Sequence, residues 1–190
     1  MPASRSPKGV EEGIVRGLYR FKRGQARNGT RVQLLASGPI LRLALQAQDA
    51  LREHGVAADV WSATSYQQLR NEALECERWN RLHPTDPARV PYVSQVLDDG
   101  PVVAVGDFVK AVPDQIARWV PGPYVSLGTD GFGRSDTRED LRSHFEIDAE
   151  HITAAALHVL ALAGEMKPEP AREALEAAGI DPETVDPRYA

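Results

Sequence analysis

Short apolar runs alternate with helical patterns along this chain, which is typical of an α/β protein. Three buried strands are predicted at residues 31–36, 58–62 and 102–105, because each is a brief apolar run bounded by turn residues, and a further short strand is predicted at residues 124–127. Residues 12–21 alternate in the way expected of a further strand, the first in the chain. Because strands then alternate with helices, the pattern predicts a mostly parallel sheet between two helix layers.

The connection after the first strand contains Asn28-Gly29, a dipeptide typical of hairpin turns. A tight turn over residues 24–29 would join the strands at residues 12–21 and 31–36 directly. We therefore expect these two strands to pair antiparallel, with the first strand at an edge of the sheet.

Helices are predicted where apolar residues recur at intervals of three and four. Ser65 with Gln68, and Asp136 with Glu139, have the spacing of capping boxes at helix starts. The predicted helices cover residues 40–51, 65–76, 109–119, 137–144, 148–163 and 168–178. Together with the strands they predict a three-layer α/β/α sandwich.

The domain organisation is predicted from the segments where the alternation of strands and helices stops. Residues 1–10 carry prolines and serines without periodicity, and we expect them to be a flexible lead-in to a domain over residues 11–190. Prolines crowd residues 77–97, which are predicted to be an insertion without a long regular element. Residues 165–190 are predicted to form a C-terminal helix and tail.

Composition narrows the class of protein. At 190 residues with 42% hydrophobic residues, one compact domain is expected, and no apolar run approaches the roughly 20 residues of a membrane span. Cys76 is the only cysteine and the start lacks an apolar signal, so we expect a reducing, cytoplasmic location. The net charge of −5 argues against nucleic acid as a partner.

The charge is uneven along the chain. Residues 1–31 hold eight basic residues and two glutamates, a net of +6 that leaves −11 for the rest. This basic segment is interpreted as a solvated edge, with docking onto an acidic partner as the alternative.

The stretch from Leu127 to Asp136 forms a joint between a strand and a helix, with glycines at 128, 131 and 133 that allow positive φ. A phosphate cradle is one interpretation, since N–H groups at such a turn attract anions. The spacing is GxxGxG instead of GxGxxG, and Asp130 and Asp136 would repel a phosphate, which favours a structural turn.

The remaining candidates for chemistry are few. The five histidines show no metal-ligand spacing, and Cys76 has no obvious local base. His83 is retained as a candidate because Arg78 and Asp86 lie near it in the sequence. Polar residues follow the predicted strands at Ser37, Thr64, Asp107 and Thr129, so an alternative function is a free-standing small-molecule or anion-binding regulatory domain.

Three long motifs resemble one enzyme family. They are residues 76–84 (CERWNRLHP), residues 90–93 (VPYV) and residues 127–142 (LGTDGFGRSDTREDLR). These motifs, with Glu12-Gly13-Ile14 near the start, are similar to the C-terminal domain of the homodimeric bacterial pyruvate dehydrogenases of the transketolase superfamily. The resemblance covers the chain from about residue 11 to its end.

The resemblance implies a five-stranded mixed sheet with one antiparallel edge strand. It also implies a parent enzyme that binds thiamine diphosphate and magnesium, decarboxylates pyruvate and passes acetyl groups to the lipoyl groups of an acyltransferase component. Upstream domains of a homodimer would hold the cofactor. The superfamily's metal motif is Gly-Asp-Gly with an asparagine roughly 25 to 30 residues later.

The nearest match here is Thr129-Asp130-Gly131, and no asparagine follows it. We therefore expect no catalytic, cofactor or metal residue in this chain, and no activity of the chain by itself. The motif residues are predicted to have structural or interface roles. They are Asp130, Gly131, Phe132, Gly133, Arg134, Ser135 and Asp136, together with Arg78, Trp79 and His83.

Overall fold

A mixed β-sheet lies at the centre of the fold, which a computed structural model describes for residues 7–25 and 29–190. The described part contains five strands in the order β1-β3-β2-β4-β5. β1 is antiparallel to β3, and the other neighbours are parallel. The strands are β1 (Leu18–Lys22), β2 (Arg31–Ala36), β3 (Ala57–Ala63), β4 (Val102–Val105) and β5 (Tyr124–Leu127). The predicted strands β2 to β5 and the antiparallel edge position of β1 are confirmed.

Helices cover both faces of this sheet. They are α1 (Glu11–Arg16), α2 (Leu41–Glu53), α3 (Tyr66–Leu82), α4 (Tyr92–Val96), α5 (Ala111–Asp114), α6 (Arg138–His144), α7 (Ala149–Leu162) and α8 (Glu169–Ala177). Two 3-10 turns, at Gly38–Ile40 and Ala117–Trp119, lead into α2 and towards β5.

Alternation along the strands divides the interior into two cores. Leu34 of β2 belongs to the core shared with α2 and α7, whereas its neighbour Leu35 faces the core shared with α3. Both leucines are fully buried. Because successive side chains of a strand point to opposite faces, a strand that is apolar throughout must be covered on both sides. This confirms the three-layer α/β/α sandwich.

The start of the domain differs from the prediction. Residues 12–16 belong to α1 and not to a strand, so the predicted strand 12–21 is wrong over its first half. Gly17 ends α1 with a left-handed φ of 103°, and its N–H donates to the Gly13 carbonyl. Glycine is needed here because a Cβ on Gly17 would lie 2.5 Å from the Ser65 carbonyl oxygen.

The predicted hairpin between β1 and β2 is also wrong. β1 pairs with β3, with Leu18 opposite Ala63, and β3 separates it from β2. Gly24 passes close to the backbone of β3, where its N–H donates to the Asp59 carboxylate across 2.7 Å. The connection therefore crosses the start of β3 on its way to β2. Residues 1–6 of the predicted lead-in and Asn28 of the predicted turn lie outside the described residues.

Residues 77–97 are more regular than predicted. Helix α3 continues through Leu82 before Pro84, and Tyr92–Val96 forms α4. The predicted helix end near Cys76 is therefore too early, because the helical geometry persists until the prolines begin. That these residues are an insertion in the domain stays a prediction.

Several basic residues of this segment pair with carboxylates within the described part of the fold. Arg16 pairs with Glu12 and Glu72, and Arg20 and Arg31 both pair with Asp59. These contacts weaken the alternative of docking onto an acidic partner for these three arginines only, and Arg5 and Arg27 lie outside the described residues.

Candidate interface site

Two loops at the carboxyl ends of β4 and β5 are joined by hydrogen bonds. The Thr129 N–H donates to the Phe108 carbonyl across 2.9 Å, and the Lys110 N–H donates to Asp130 Oδ1 across 2.9 Å. These bonds fix the base of the joint, residues 127–136, against the loop at residues 106–110. Asp130, predicted as a structural residue, thus has a backbone partner.

The three glycines of the joint have three different surroundings. A Cβ on Gly128 would lie 2.5 Å from the Phe108 carbonyl oxygen, so the close approach of the two loops excludes a side chain there. Gly131 has a φ of 112°, and its Cβ would lie 2.5 Å from the Pro187 carbonyl oxygen. Gly133 has nothing within 4 Å of such a Cβ. Among the three, only Gly131 has the predicted positive φ.

The C-terminal tail packs against the joint at Gly131, which sequence reasoning missed. Asp186 and Arg188 form an ion pair of 2.6 Å within the tail. The hydrogen bond from the Arg188 side chain lowers the pKa of Asp186 to about 2. No local pattern indicates a contact between segments so far apart in the sequence.

The tip of the joint is open to solvent. Residues 131–140 are all exposed, and Phe132 keeps 82% of its surface. No hydrogen bond or ion pair of the Arg134 or Ser135 side chain is formed with any residue that the structure describes. Asp136 accepts a hydrogen bond from the Thr137 N–H across 2.7 Å. The joint therefore combines an anchored base with a tip that offers an aromatic ring, a cation and a hydroxyl.

The cap of α6 lies one residue later than predicted. Thr137 is the N-cap, and its hydroxyl oxygen accepts the Asp140 N–H at 3.2 Å. The Asp140 carboxylate in turn accepts the hydroxyl proton of Thr137. The predicted box of Asp136 and Glu139 is wrong because Thr137 still has the extended backbone of an N-cap.

Arg78, Trp79 and His83 lie at the end of α3, in a cluster separate from the joint. The Trp79 ring stacks on the His83 ring, with 3.6 Å between the ring centroids. The Arg89 guanidinium lies 3.5 Å from the centroid of the Trp79 ring. His83 Nδ1 lies 3.0 Å from the Trp79 carbonyl oxygen, whereas Arg78 is exposed. The cluster orders the chain between α3 and α4. Within the described ranges, no hydrogen bond connects it to the joint.

A cavity of about 620 Å³ lies at the carboxyl ends of the strands, and we call it the strand-end cavity. Its lining residues are Pro39, Asp107, Thr129, Asp136, Arg138, Leu141, Arg142, Phe145 and Ile147. Asp107 and Thr129 thus come together as predicted. Thr64 does not join them, because its hydroxyl donates to the Ile14 carbonyl at 2.8 Å. Ser37 also stays out of the lining.

Arg138 and Arg142 of this cavity are polar residues that sequence reasoning treated only as part of a motif. Arg142 keeps just 9% of its surface exposed. One pattern in the sequence could have indicated them, a helix of seven residues with four charged positions beside a predicted ligand edge.

Other candidates for chemistry have structural surroundings. Cys76 is buried, and its Sγ lies 3.6 Å from Glu72 Oε1. Burial and then the charge of Glu72 raise the pKa of the Cys76 thiol, which disfavours the thiolate needed for nucleophilic attack. Among the described residues, no group of three His, Cys, Asp or Glu side chains is placed to hold a metal ion. No described helix is long and apolar enough to cross a membrane.

The residues around Asp130 do not fit thiamine diphosphate with its metal ion. Asp130 Oδ1 already accepts the Lys110 N–H, and the described residues supply no further carboxylate cluster beside it. Gly131, which corresponds to the last glycine of the Gly-Asp-Gly motif, is packed against the C-terminal tail. The joint is built as a fixed loop and not as a metal-diphosphate site.

The fold is that of a transketolase-type C-terminal domain, a three-layer α/β domain with an antiparallel edge strand. The family described as "Transketolase-like TK C-terminal domain" matches residues 17–148, and the chain belongs to this family. The family resemblance predicted from the motifs is confirmed.

Sequence relatives are more specific. The chain is 46% identical over 192 residues to the pyruvate dehydrogenase E1 component of Escherichia coli K12, an alignment that covers 100% of this chain. It is homologous to the C-terminal part of such enzymes. The chain spans 21% of the length of that relative.

Solved structures show the same fold at lower identity. A transketolase from Pichia stipitis, crystallised with sedoheptulose 7-phosphate, superposes with a TM-score of 0.54 and 18% identity, covering 80% of this chain and 19% of that one. A split-gene transketolase described as an inactive β4 tetramer gives a TM-score of 0.53 and 21% identity, covering 84% of this chain and 48% of that one.

Proposed function

We propose that the chain is the C-terminal, non-catalytic domain of a thiamine-diphosphate-dependent pyruvate dehydrogenase. The complete enzyme would decarboxylate pyruvate and transfer the acetyl group to lipoyl groups of an acyltransferase component in the cytoplasm. This domain would pack on the upstream domains and help to form a homodimer. The identity to the Escherichia coli pyruvate dehydrogenase E1 component along the whole chain supports the assignment.

The observation that carries the interface role is the contrast within the joint. Its base is fixed by the Asp130 bond and by the packing of Gly131 on the tail, yet residues 131–140 are exposed without a break. A fixed loop that presents Phe132 and Arg134 has the residue types enriched at the centres of protein interfaces. The cost of ordering such a loop is offset when another surface covers it.

The cofactor belongs to the upstream domains in this proposal. Thiamine diphosphate, with magnesium, would supply the carbanion chemistry of decarboxylation there. The residues of this chain would contribute rigidity and contact area, because none of its described clusters fits the cofactor's metal. Nucleic acid is not proposed as a partner, because the chain has a net charge of −5, and membranes are not proposed either.

The test replaces Arg134 with alanine in the complete enzyme. We expect weaker dimerisation in sedimentation experiments and lower pyruvate turnover, because one charged contact across an interface is removed. Arg172→Ala is the matched control, since Arg172 is exposed and pairs with Glu176 in its own helix. Unchanged assembly and turnover in Arg134→Ala and in Phe132→Ala would count against the interface role.

A second experiment addresses the cofactor. Calorimetric titration of the 190-residue chain with thiamine diphosphate and magnesium should give no binding heat. Tight, magnesium-dependent binding to this chain would contradict the proposal.

A further inference from the structure

The strand-end cavity is lined by Arg142, whose guanidinium donates to no acceptor among the described residues. We propose that Arg142 and Arg138 bind the carboxylate of a small monocarboxylic acid in this cavity. The proposal does not depend on the enzyme assignment above, because it uses only residues of this chain.

Arg142 is the observation that points to a ligand. It is 9% exposed, yet none of the described residues accepts a hydrogen bond from its guanidinium or forms an ion pair with it. None of its nitrogen atoms is among the fully buried polar atoms that lack a partner, so the guanidinium keeps contact with water, which a carboxylate can replace. Arg142 lines the strand-end cavity and also a second cavity next to α2 and α8, so part of its guanidinium is available to a molecule in the strand-end cavity.

Both cationic and acidic residues surround Arg142. Burial lowers the pKa of Arg142, and the charges of Arg138 and Arg42 lower it further, against the raising effects of Asp107 and Glu139. An arginine remains protonated even so, and an added anion would relieve the repulsion between these cations. Arg138 lines the same cavity and provides the second cation.

The two aspartates of the cavity restrict which anion fits. Asp107 and Asp136 balance the two arginines, so the cavity has no excess of positive charge for a dianion such as phosphate. A monocarboxylate meets the planar fork of a guanidinium with two parallel hydrogen bonds. Asp107, whose carboxylate forms no hydrogen bond within the described ranges, is free to accept a hydroxyl proton from the same ligand.

The other walls of the cavity suit a short aliphatic chain. They are formed by the side chains of Pro39, Leu141, Phe145 and Ile147. A cavity of about 620 Å³ is within the usual range for small-molecule sites. The combined features favour a small 2-hydroxy monocarboxylate over a phosphorylated compound.

The carboxylate has two conceivable sources, a free acid or an acidic side chain from a longer polypeptide. Both use the same chemistry at Arg142, and the experiment separates them. If acetate and glycolate bind the 190-residue chain and also the complete enzyme, the ligand is a free acid. If they bind only the chain, and Arg142→Gln weakens domain packing in the complete enzyme, the source is the protein.

The test follows the side-chain Nε–H signal of Arg142 by NMR while acetate, glycolate or phosphate is added at constant ionic strength. We expect saturable shifts with a Kd on the order of millimolar for the carboxylates, glycolate binding more tightly, and weaker binding of phosphate. Arg142→Gln should weaken acetate binding by about tenfold or more. Arg172→Gln, at an exposed and paired arginine, should leave it unchanged.

Folding is checked by circular dichroism, and Arg138→Gln provides a second variant if Arg142→Gln does not fold. Shifts that grow linearly without saturation would overturn the proposal. Equal acetate affinity in a folded Arg142→Gln chain, or tighter binding of phosphate than of acetate, would do the same.

Discussion

Asp130 accepts a hydrogen bond from the backbone N–H of Lys110 across 2.9 Å, and this bond ties the joint to the loop after β4. Replacing Asp130 with alanine leaves a partly buried N–H without its acceptor. We expect the free energy of unfolding to fall by about 1–3 kcal/mol, measured by urea denaturation. A domain of this size would lose about 2–4 °C in Tm for each kcal/mol.

Asp136→Ala is the control for this change. Asp136 also accepts a backbone N–H, that of Thr137, but in an exposed position where water replaces the carboxylate. Its loss should cost about 0.5 kcal/mol or less. Equal effects of the two variants would contradict the anchoring role of Asp130.

Gly131 and Gly133 differ in what a methyl group would meet. Gly131→Ala combines a φ of 112° with a Cβ only 2.5 Å from the Pro187 carbonyl oxygen, so the tail or the joint must shift. We expect a loss of more than about 1 kcal/mol and faster amide exchange over residues 181–190 in mass spectrometry. Gly133→Ala, which meets nothing within 4 Å, should leave both measurements near those of the unchanged chain.

A chain shortened after Ile180 separates the two causes. Without the tail, Gly131→Ala keeps its backbone strain and loses its steric conflict, so its destabilisation should become smaller. An identical cost with and without the tail would show that the contact with Pro187 does not matter.

The sequence predicted most of the sheet because burial leaves a local signal there. β2, β3 and β4 are largely apolar, as a strand covered on both faces requires, and β5 is a short run with one polar residue. The pairing of β1 was missed because it depends on where the connection crosses β3, at Gly24 and Asp59, and not on any turn motif. Helix α1 was missed because six residues are too short to show a period clearly.

The candidate site could be predicted only in part, because only some of its features leave a local pattern in the sequence. The motif identified the joint, and its glycines indicated a turn. The contact of Gly131 with Pro187 and the burial of Arg142 arise from packing between distant segments, which no local pattern encodes. An arginine in a short charged helix is usually solvated, so composition argues against the burial that the structure shows.

Asp59 provides a test of the connection that the sequence did not predict. Its buried carboxylate accepts from the Gly24 N–H at 2.7 Å, from Arg31 at 2.8 Å and from Arg20 at 3.3 Å. Asp59→Asn keeps the shape and one acceptor oxygen but removes the charge. It should cost about 2 kcal/mol in urea unfolding, because two guanidinium groups lose their buried counter-charge and the new NH2 group cannot accept from any of the three donors. Arg20→Ala, which removes the longest and most exposed of these contacts, should cost about 0.5 kcal/mol. The crossing of β3 would be structurally unimportant if Asp59→Asn cost no more than Arg20→Ala.

His151 and Asp148 form an ion pair at the start of α7, with Nδ1 and Oδ1 2.7 Å apart, and this pair should make stability depend on pH. Burial by itself would lower the pKa of His151, but the Asp148 hydrogen bond and charge raise it above its ordinary 6.5. Burial would likewise raise the pKa of Asp148, and the bonds from the His151 side chain and backbone lower it below 3.8.

The contribution of His151 is complete below its unfolded pKa and is lost as the pH rises through its raised folded value. The contribution of Asp148 is present above its unfolded pKa and is lost as the pH falls through its lowered folded value. The pair should therefore stabilise the fold most between about pH 4 and 6.5, where both groups are charged.

His151→Gln should cost about 1 kcal/mol near pH 5.5 and clearly less near pH 8.5, measured by urea unfolding at both pH values. His158→Gln, at an exposed position of the same helix, is the control and should cost little near pH 5.5. A His151→Gln cost that did not decrease with rising pH would show that the ring packs there without its charge.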